Sequence, residues 1–140
     1  MISFTKIDDI KINFSSWDSL ESWVKECVEK FHFITGDLSF VFMNDEQLLE
    51  YNKEFLDHNY YTDIITFDSS ELPILNADIL ISVDRVLDNC KELKNSFLDE
   101  FCRVIIHGVL HLMGYKDKTS DEVIEMRRIE QQCLDLRSFT

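Results

Sequence analysis

His107-Gly108-Val109-Leu110-His111-Leu112-Met113-Gly114-Tyr115 is the stretch from which the rest of this chain is read. It continues an apolar run with helical spacing. At about 3.6 residues per turn, His107 and His111 lie on one face, one turn apart, where two imidazole nitrogens can meet a single metal ion. Gly114 can end the helix in a left-handed conformation and turn the chain back, which brings Asp117 toward the pair. His107, His111 and Asp117 then form a three-ligand site that leaves a position for water, the feature that separates a catalytic zinc site from a closed structural one. A lone histidine on a helix is more often a core or surface residue. The spacing, the glycine stop and the oxygen ligand beyond it together turn the reading toward metal. The zinc-peptidase pattern places a glutamate after the first histidine as general base; here that place is Gly108, so water activated by the metal is the expected nucleophile.

Working outward, Ser96 with Asp99 reads as a capping box for the metal helix, whose Leu98, Phe101, Cys102, Ile105, Val109 and Leu112 form a core stripe. Thr119 with Glu122 reads as the cap of a last helix, with Val123, Met126, Ile129, Cys133 and Leu136 packed inward. Toward the N-terminus, residues 2 to 5 read as a strand and residues near 16 to 32 as a helix that buries Leu20, Trp23, Val24, Cys27 and Val28. Leu38 to Met43, Ile64 to Phe67 and Asp78 to Ser82 read as strands. Asn44 with Gln47 caps a helix carrying Leu48, Leu49 and Tyr51. The expected class is α+β, a small mixed sheet of about four strands packed with helices, with the metal site on a helix of the C-terminal half.

A chain of 140 residues, 45% of them hydrophobic, suits one domain spanning residues 1–140. No basic N-terminal segment leads into an apolar stretch and no apolar run approaches the roughly 20 residues that span a bilayer, so a soluble, cytoplasmic protein with no membrane partner is expected. Cys27, Cys90, Cys102 and Cys133 lack C-x-x-C spacing and read as reduced thiols.

The residues from His107 to Tyr115 closely resemble the signature of the YbeY family, whose pattern runs H-G-x-L-H-L-x-G-Y-D-H. The likeness extends to Asn52 and Phe55, to Thr62-Asp63-Ile64-Ile65-Thr66-Phe67, to Ala77-Asp78-Ile79-Leu80-Ile81-Ser82, and to Met126 and Glu130, covering most of residues 49 to 130. The resemblance implies a metal-dependent endoribonuclease acting on single-strand-type RNA in 16S ribosomal RNA maturation and ribosome quality control. It implies one zinc ion per chain, and ribosomal RNA and small-subunit ribosomal proteins as partners. Asp63, in the segment matched to the family's cleft lining, and Arg103, one of this chain's own cations, are the candidate substrate contacts, while His32 and His58 fall outside the signature and read as structural or merely exposed.

Two departures from the family pattern matter. Asp117 stands where the family has its third histidine, with Lys116 in place of an aspartate. A carboxylate oxygen binds zinc at nearly the distance of an imidazole nitrogen, but its charge makes the metal a weaker Lewis acid. Leu56 stands where the family has an arginine, so that residue's phosphate contact is lost; Lys53, Arg85, Arg103, Lys116 and Lys118 are the cations available to compensate. The net charge of −13 runs against tight binding of naked RNA and fits a protein that meets its RNA on a ribosomal particle. The alternative is therefore a non-catalytic ribosome-assembly factor with a weakened metal site. An iron oxygenase, which two histidines and a carboxylate also suit, leaves the other matched segments unexplained.

Overall fold

The computed structural model describes residues 1–140. In chain order its elements are β1 (Ile2–Lys6), α1 (Trp17–Lys30), β2 (Ile34–Met43), α2 (Asp45–Leu56), β3 (Ile64–Asp68), β4 (Ile74–Ser82), α3 (Val83–Glu92), α4 (Phe97–Leu112) and α5 (Ser120–Asp135). The four strands form one mixed sheet in the order β1-β2-β4-β3. β1 runs parallel to β2 and β2 to β4, while β3 lies antiparallel to β4 at the edge. The architecture is the expected α+β class.

Because strand side chains alternate between faces, the register decides which residues share a core. Leu38, Phe40 and Phe42 of β2 and Leu75, Ala77, Ile79 and Ile81 of β4 join Leu20, Trp23 and Val24 of α1 and the apolar residues of α4 and α5 in one large cluster. On the other face of the sheet, Met43, Leu48, Ile65 and Leu80 form a small second cluster beneath α2. The five residues expected to be buried on α1 are the five that are buried. Cys27, Cys90, Cys102 and Cys133 are all free and buried. Burial pushes the Cys102 thiol up to about 11 against the opposing pull of Arg137, which leaves it an unreactive thiol at neutral pH.

The structure adds one helix and corrects one local reading. Helix α3 was not foreseen: only Val83, Val86 and Cys90 are buried on it, too sparse a stripe to stand out, and it starts directly from strand β4 with Ser82 accepting a hydrogen bond from the Arg85 amide at 3.2 Å. Val123, expected in the core, is exposed near the start of α5. Helix α2 carries Leu48, Leu49 and Tyr51 as expected, the two leucines buried and Tyr51 40% exposed. The capping boxes of α2 and α5 form as read; at α4 Ser96 accepts from the Asp99 amide at 3.0 Å without a reciprocal bond.

Gly108 sets how closely α4 approaches the sheet. A Cβ there would lie 2.6 Å from Ile64 Cδ1 and 3.4 Å from Ile79 Cγ2. The position therefore faces β3 and β4, where an acidic side chain serving as general base has no room. Gly108→Ala gains up to about 1 kcal/mol in helix propensity, and the atom it crowds is the terminal methyl of half-buried Ile64, which can turn aside at small cost. Denaturant unfolding should show a change of under about 1 kcal/mol; a loss of about 1–3 kcal/mol would mean that Ile64 is held in place and the site is overpacked.

Candidate metal centre

Helix α4 carries His107 and His111 one turn apart, with ring centroids 4.5 Å apart and rings at 85° to each other. After Leu112 the chain turns through Gly114 at φ +104°, a conformation that suits glycine alone among common residues. The turn closes with the Gly114 amide donating to the His111 carbonyl at 3.0 Å and the Tyr115 amide donating to the Leu110 carbonyl at 3.2 Å. Asp117, in the loop that follows, is thereby returned to the histidine face.

The ligand atoms converge. His107 Nε2 and His111 Nε2 are 2.9 Å apart, and Asp117 Oδ2 lies 3.2 Å from the first and 3.4 Å from the second. Ligands about 2.0–2.1 Å from a tetrahedral zinc are spaced by about 3.3 Å, so this triangle has the right size. No other group of His, Cys, Asp or Glu side chains converges in this way. The proton positions argue for a cation as well. His111 Nδ1 lies 2.9 Å from the Tyr115 carbonyl oxygen, which can only accept, so Nδ1 carries the proton. His107 Nδ1 lies 2.6 Å from Glu130 Oε2 and donates to it. With Nδ1 engaged in this way, each Nε2 is the nitrogen left to face the other ring and the Asp117 carboxylate, the orientation in which two imidazoles and a carboxylate share a cation. The residues fit a metal ion.

Glu130 of α5 supports this arrangement from behind. It is 1% exposed and is held by Arg127 Nη1 at 2.7 Å and Arg103 Nη1 at 3.5 Å besides His107. Burial pushes its carboxyl up, but the hydrogen bonds from His107 and Arg127 and the charges of Arg127 and Arg103 outweigh this and hold it below the ordinary glutamate range. It stays ionised and fixes the tautomer and orientation of His107. The front of the site is open: the side chains of His107, His111 and Asp117 are 16%, 30% and 38% exposed.

The chain is similar to known proteins along nearly its whole length. The profile of the family described as Endoribonuclease YbeY matches residues 4–137. This chain belongs to the YbeY family. Endoribonuclease YbeY of Porphyromonas gingivalis is 47% identical over 112 residues, which cover 80% of this chain and 74% of that protein. The protein of the same name from Cytophaga hutchinsonii is 43% identical over 133 residues, 94% of this chain and 93% of that one. The solution structure of a Thermotoga maritima protein shares the fold, with a TM-score of 0.62 at 22% identity, covering 96% of this chain and 90% of that one.

In this YbeY-family chain the other residues singled out in the sequence have the following places. Asp63 precedes the edge strand; its carbonyl accepts from the Ser82 amide at 2.9 Å and its Oδ2 from Asn89 Nδ2 at 3.2 Å. It lies outside the converging ligand set. Arg103 is 14% exposed and engaged by Glu100 and Glu130. Leu56, at the family's arginine position, ends α2 and is exposed. Lys116 and Lys118 are exposed on either side of Asp117, and neither is in an ion pair. His58 stacks on Tyr60 away from the centre, and His32 follows α1. Sequence reasoning met Glu130 only as a family match and assigned it no role. A local signal exists, since a glutamate within the buried stripe of Met126, Ile129 and Cys133 demands a partner.

Proposed function

We propose that this chain is a metal-dependent endoribonuclease that cleaves phosphodiester bonds of single-strand-type RNA in 16S ribosomal RNA maturation and ribosome quality control, with one zinc ion held by His107, His111 and Asp117. The observation that carries the reading is the convergence of two imidazole lone pairs and one carboxylate oxygen, in a chain whose relatives bear the name endoribonuclease. When bound, the ion supplies Lewis acidity toward water and toward a phosphoryl oxygen.

The protein's own groups do the rest. Glu130 and the Tyr115 carbonyl keep the protons of His107 and His111 on Nδ1 and so keep both Nε2 atoms available. Asp117 lowers the charge of the site by one unit relative to a third imidazole. Lys116 and Lys118, exposed beside it, are placed to oppose substrate phosphates and take over part of what Leu56 no longer offers. The apolar residues of α4 behind the histidines keep the ligands rigid and exclude water from the rear of the site. No helix is long and apolar enough to cross a membrane, which accords with a cytoplasmic setting among ribosomal RNA and small-subunit proteins. The second reading, a non-catalytic assembly factor, is favoured by one observation: leucine stands exposed where the family has arginine, on a body of net charge −13.

A series at Asp117 tests both readings. Protein purified without a histidine tag is titrated with zinc against a competing chelator and assayed on structured RNA across pH. Asp117→Ala is expected to weaken metal binding by about 10- to 100-fold or more. Asp117→His should shift cleavage to lower pH, because a site with one more unit of positive charge ionises its water more readily. Equal metal affinity in all three proteins makes Asp117 an ordinary loop carboxylate, and no cleavage by the zinc-loaded parent selects the assembly-factor reading.

A further inference from the structure

Helix α2 and the loop after it expose an unusual amount of aromatic surface beside acid. Glu46, Glu50 and Glu54 recur at four-residue intervals and form an exposed row along α2. Beside that row Tyr51 and Phe55 are 40% and 56% exposed and stack on each other, ring centroids 5.9 Å apart at 19°. Tyr61, 49% exposed, donates its hydroxyl hydrogen bond to Glu46 at the start of the row. From Asp45 to Asp63 the chain holds six acidic side chains and a single cation, Lys53. A planar apolar ring edged by carboxylates is a poor neighbour for phosphate and a good one for guanidinium, which stacks on the ring and bonds the carboxylate in the same plane.

The molecule itself shows such a pairing at one end of this surface. Arg85 lies with its guanidinium 5.8 Å from the centre of the Tyr61 ring, while its Nε donates to both carboxylate oxygens of Asp45 at 3.1 Å. Tyr51 and Phe55 lie on the same helix as exposed Glu50 and Glu54, with Phe67 edge-on to Phe55 at 5.6 Å and Lys53 at 3.9 Å from Glu50, and no arginine stacks on either ring.

We infer that the acidic aromatic face of α2 is a docking surface for an arginine-rich segment of a basic protein, whose guanidinium groups stack on Tyr51 and Phe55 and pair with Glu50 and Glu54. Charge decides the choice of occupant. An unpaired RNA strand could stack bases on the same rings, but its phosphates would run along a row of glutamates. The surface lies on the sheet face opposite α4, and the inference stands independently of the cleavage reading.

The test uses the full chain and three fluorescent probes of equal length: an arginine–glycine peptide, a lysine–glycine peptide of the same charge, and oligouridine RNA. At about 0.15 M salt the arginine peptide is expected to bind about tenfold more tightly than the lysine peptide, since only guanidinium both stacks and forks. Tyr51→Ser should abolish that preference, and the pair Glu50→Gln with Glu54→Gln should weaken binding of both peptides. Amide hydrogen exchange in the parent protein should slow within residues 46–61 when the arginine peptide is added, a readout that needs no variant to fold. Equal binding of the two peptides, or protection confined to other residues, overturns the inference. Oligouridine binding that Tyr51→Ser removes assigns the surface to RNA instead and overturns it too.

Discussion

His111→Ala should abolish both metal binding and RNA cleavage in a protein that remains folded. His111 Nε2 lies 2.9 Å from His107 Nε2 and 3.4 Å from Asp117 Oδ2, so its loss leaves two ligands where the site has three. The side chain stands beside the core stripe of α4 and is 30% exposed, so truncation removes little packing. The expected loss of metal affinity exceeds the roughly 10- to 100-fold that removal of an outer-shell partner costs, because a direct ligand is gone. Metal content of the purified variant, cleavage of structured RNA and thermal unfolding in chelator read the three consequences separately. Retained cleavage would place the chemistry elsewhere. Destabilisation relative to the metal-free parent would show that the Nδ1 bond to the Tyr115 carbonyl is what His111 contributes.

The largest effect on stability belongs to Glu130. Its carboxylate is buried between His107, Arg103 and Arg127, and Glu130→Ala leaves Arg103 with Glu100 as its remaining partner. Removing one member of a buried charge network costs about 3–5 kcal/mol, because the desolvated charges left behind lose their compensation. That is a large part of the roughly 5–15 kcal/mol by which domains are stable. Urea unfolding of chelator-treated protein measures it. The pH dependence follows from the direction of the shift. The folded-state pKa of Glu130 is lowered, so its contribution is complete above the unfolded glutamate pKa of about 4.3 and is lost as pH falls through the lower folded value. The stability gap between the parent and Glu130→Gln should therefore close on the acid side of that range. A loss under about 1 kcal/mol for Glu130→Ala would mean that Arg103 and Arg127 are satisfied by Glu100 and water, and that the network is a weaker support for His107 than its burial implies.

The parts of this protein that could be read from its residues are those governed by short-range rules. Four-residue spacing placed His107 and His111 on one face, a glycine after the last turn marked where the chain reverses, and Asn44 and Thr119 announced their helices because caps act within three residues. The buried stripe of α1 was legible residue by residue, since a helix fourteen residues long repeats its pattern often enough to stand above noise. Helix α3 was not, because ten residues with three buried side chains repeat it barely once.

What the sequence alone determined was thus the class of the fold, the helix that carries the histidine pair and the identity of the candidate ligands. The tertiary structure decided the order β1-β2-β4-β3 with its antiparallel edge strand, the engagement of Arg103 by Glu100 and Glu130, and the 2.6 Å contact that brings Glu130 behind His107 across 23 residues of sequence. It also decided that Tyr51 and Phe55 face outward beside glutamates. The physical reason is range: spacing and caps act within one or two turns, whereas the partner of a buried charge depends on which helices the sheet packs side by side.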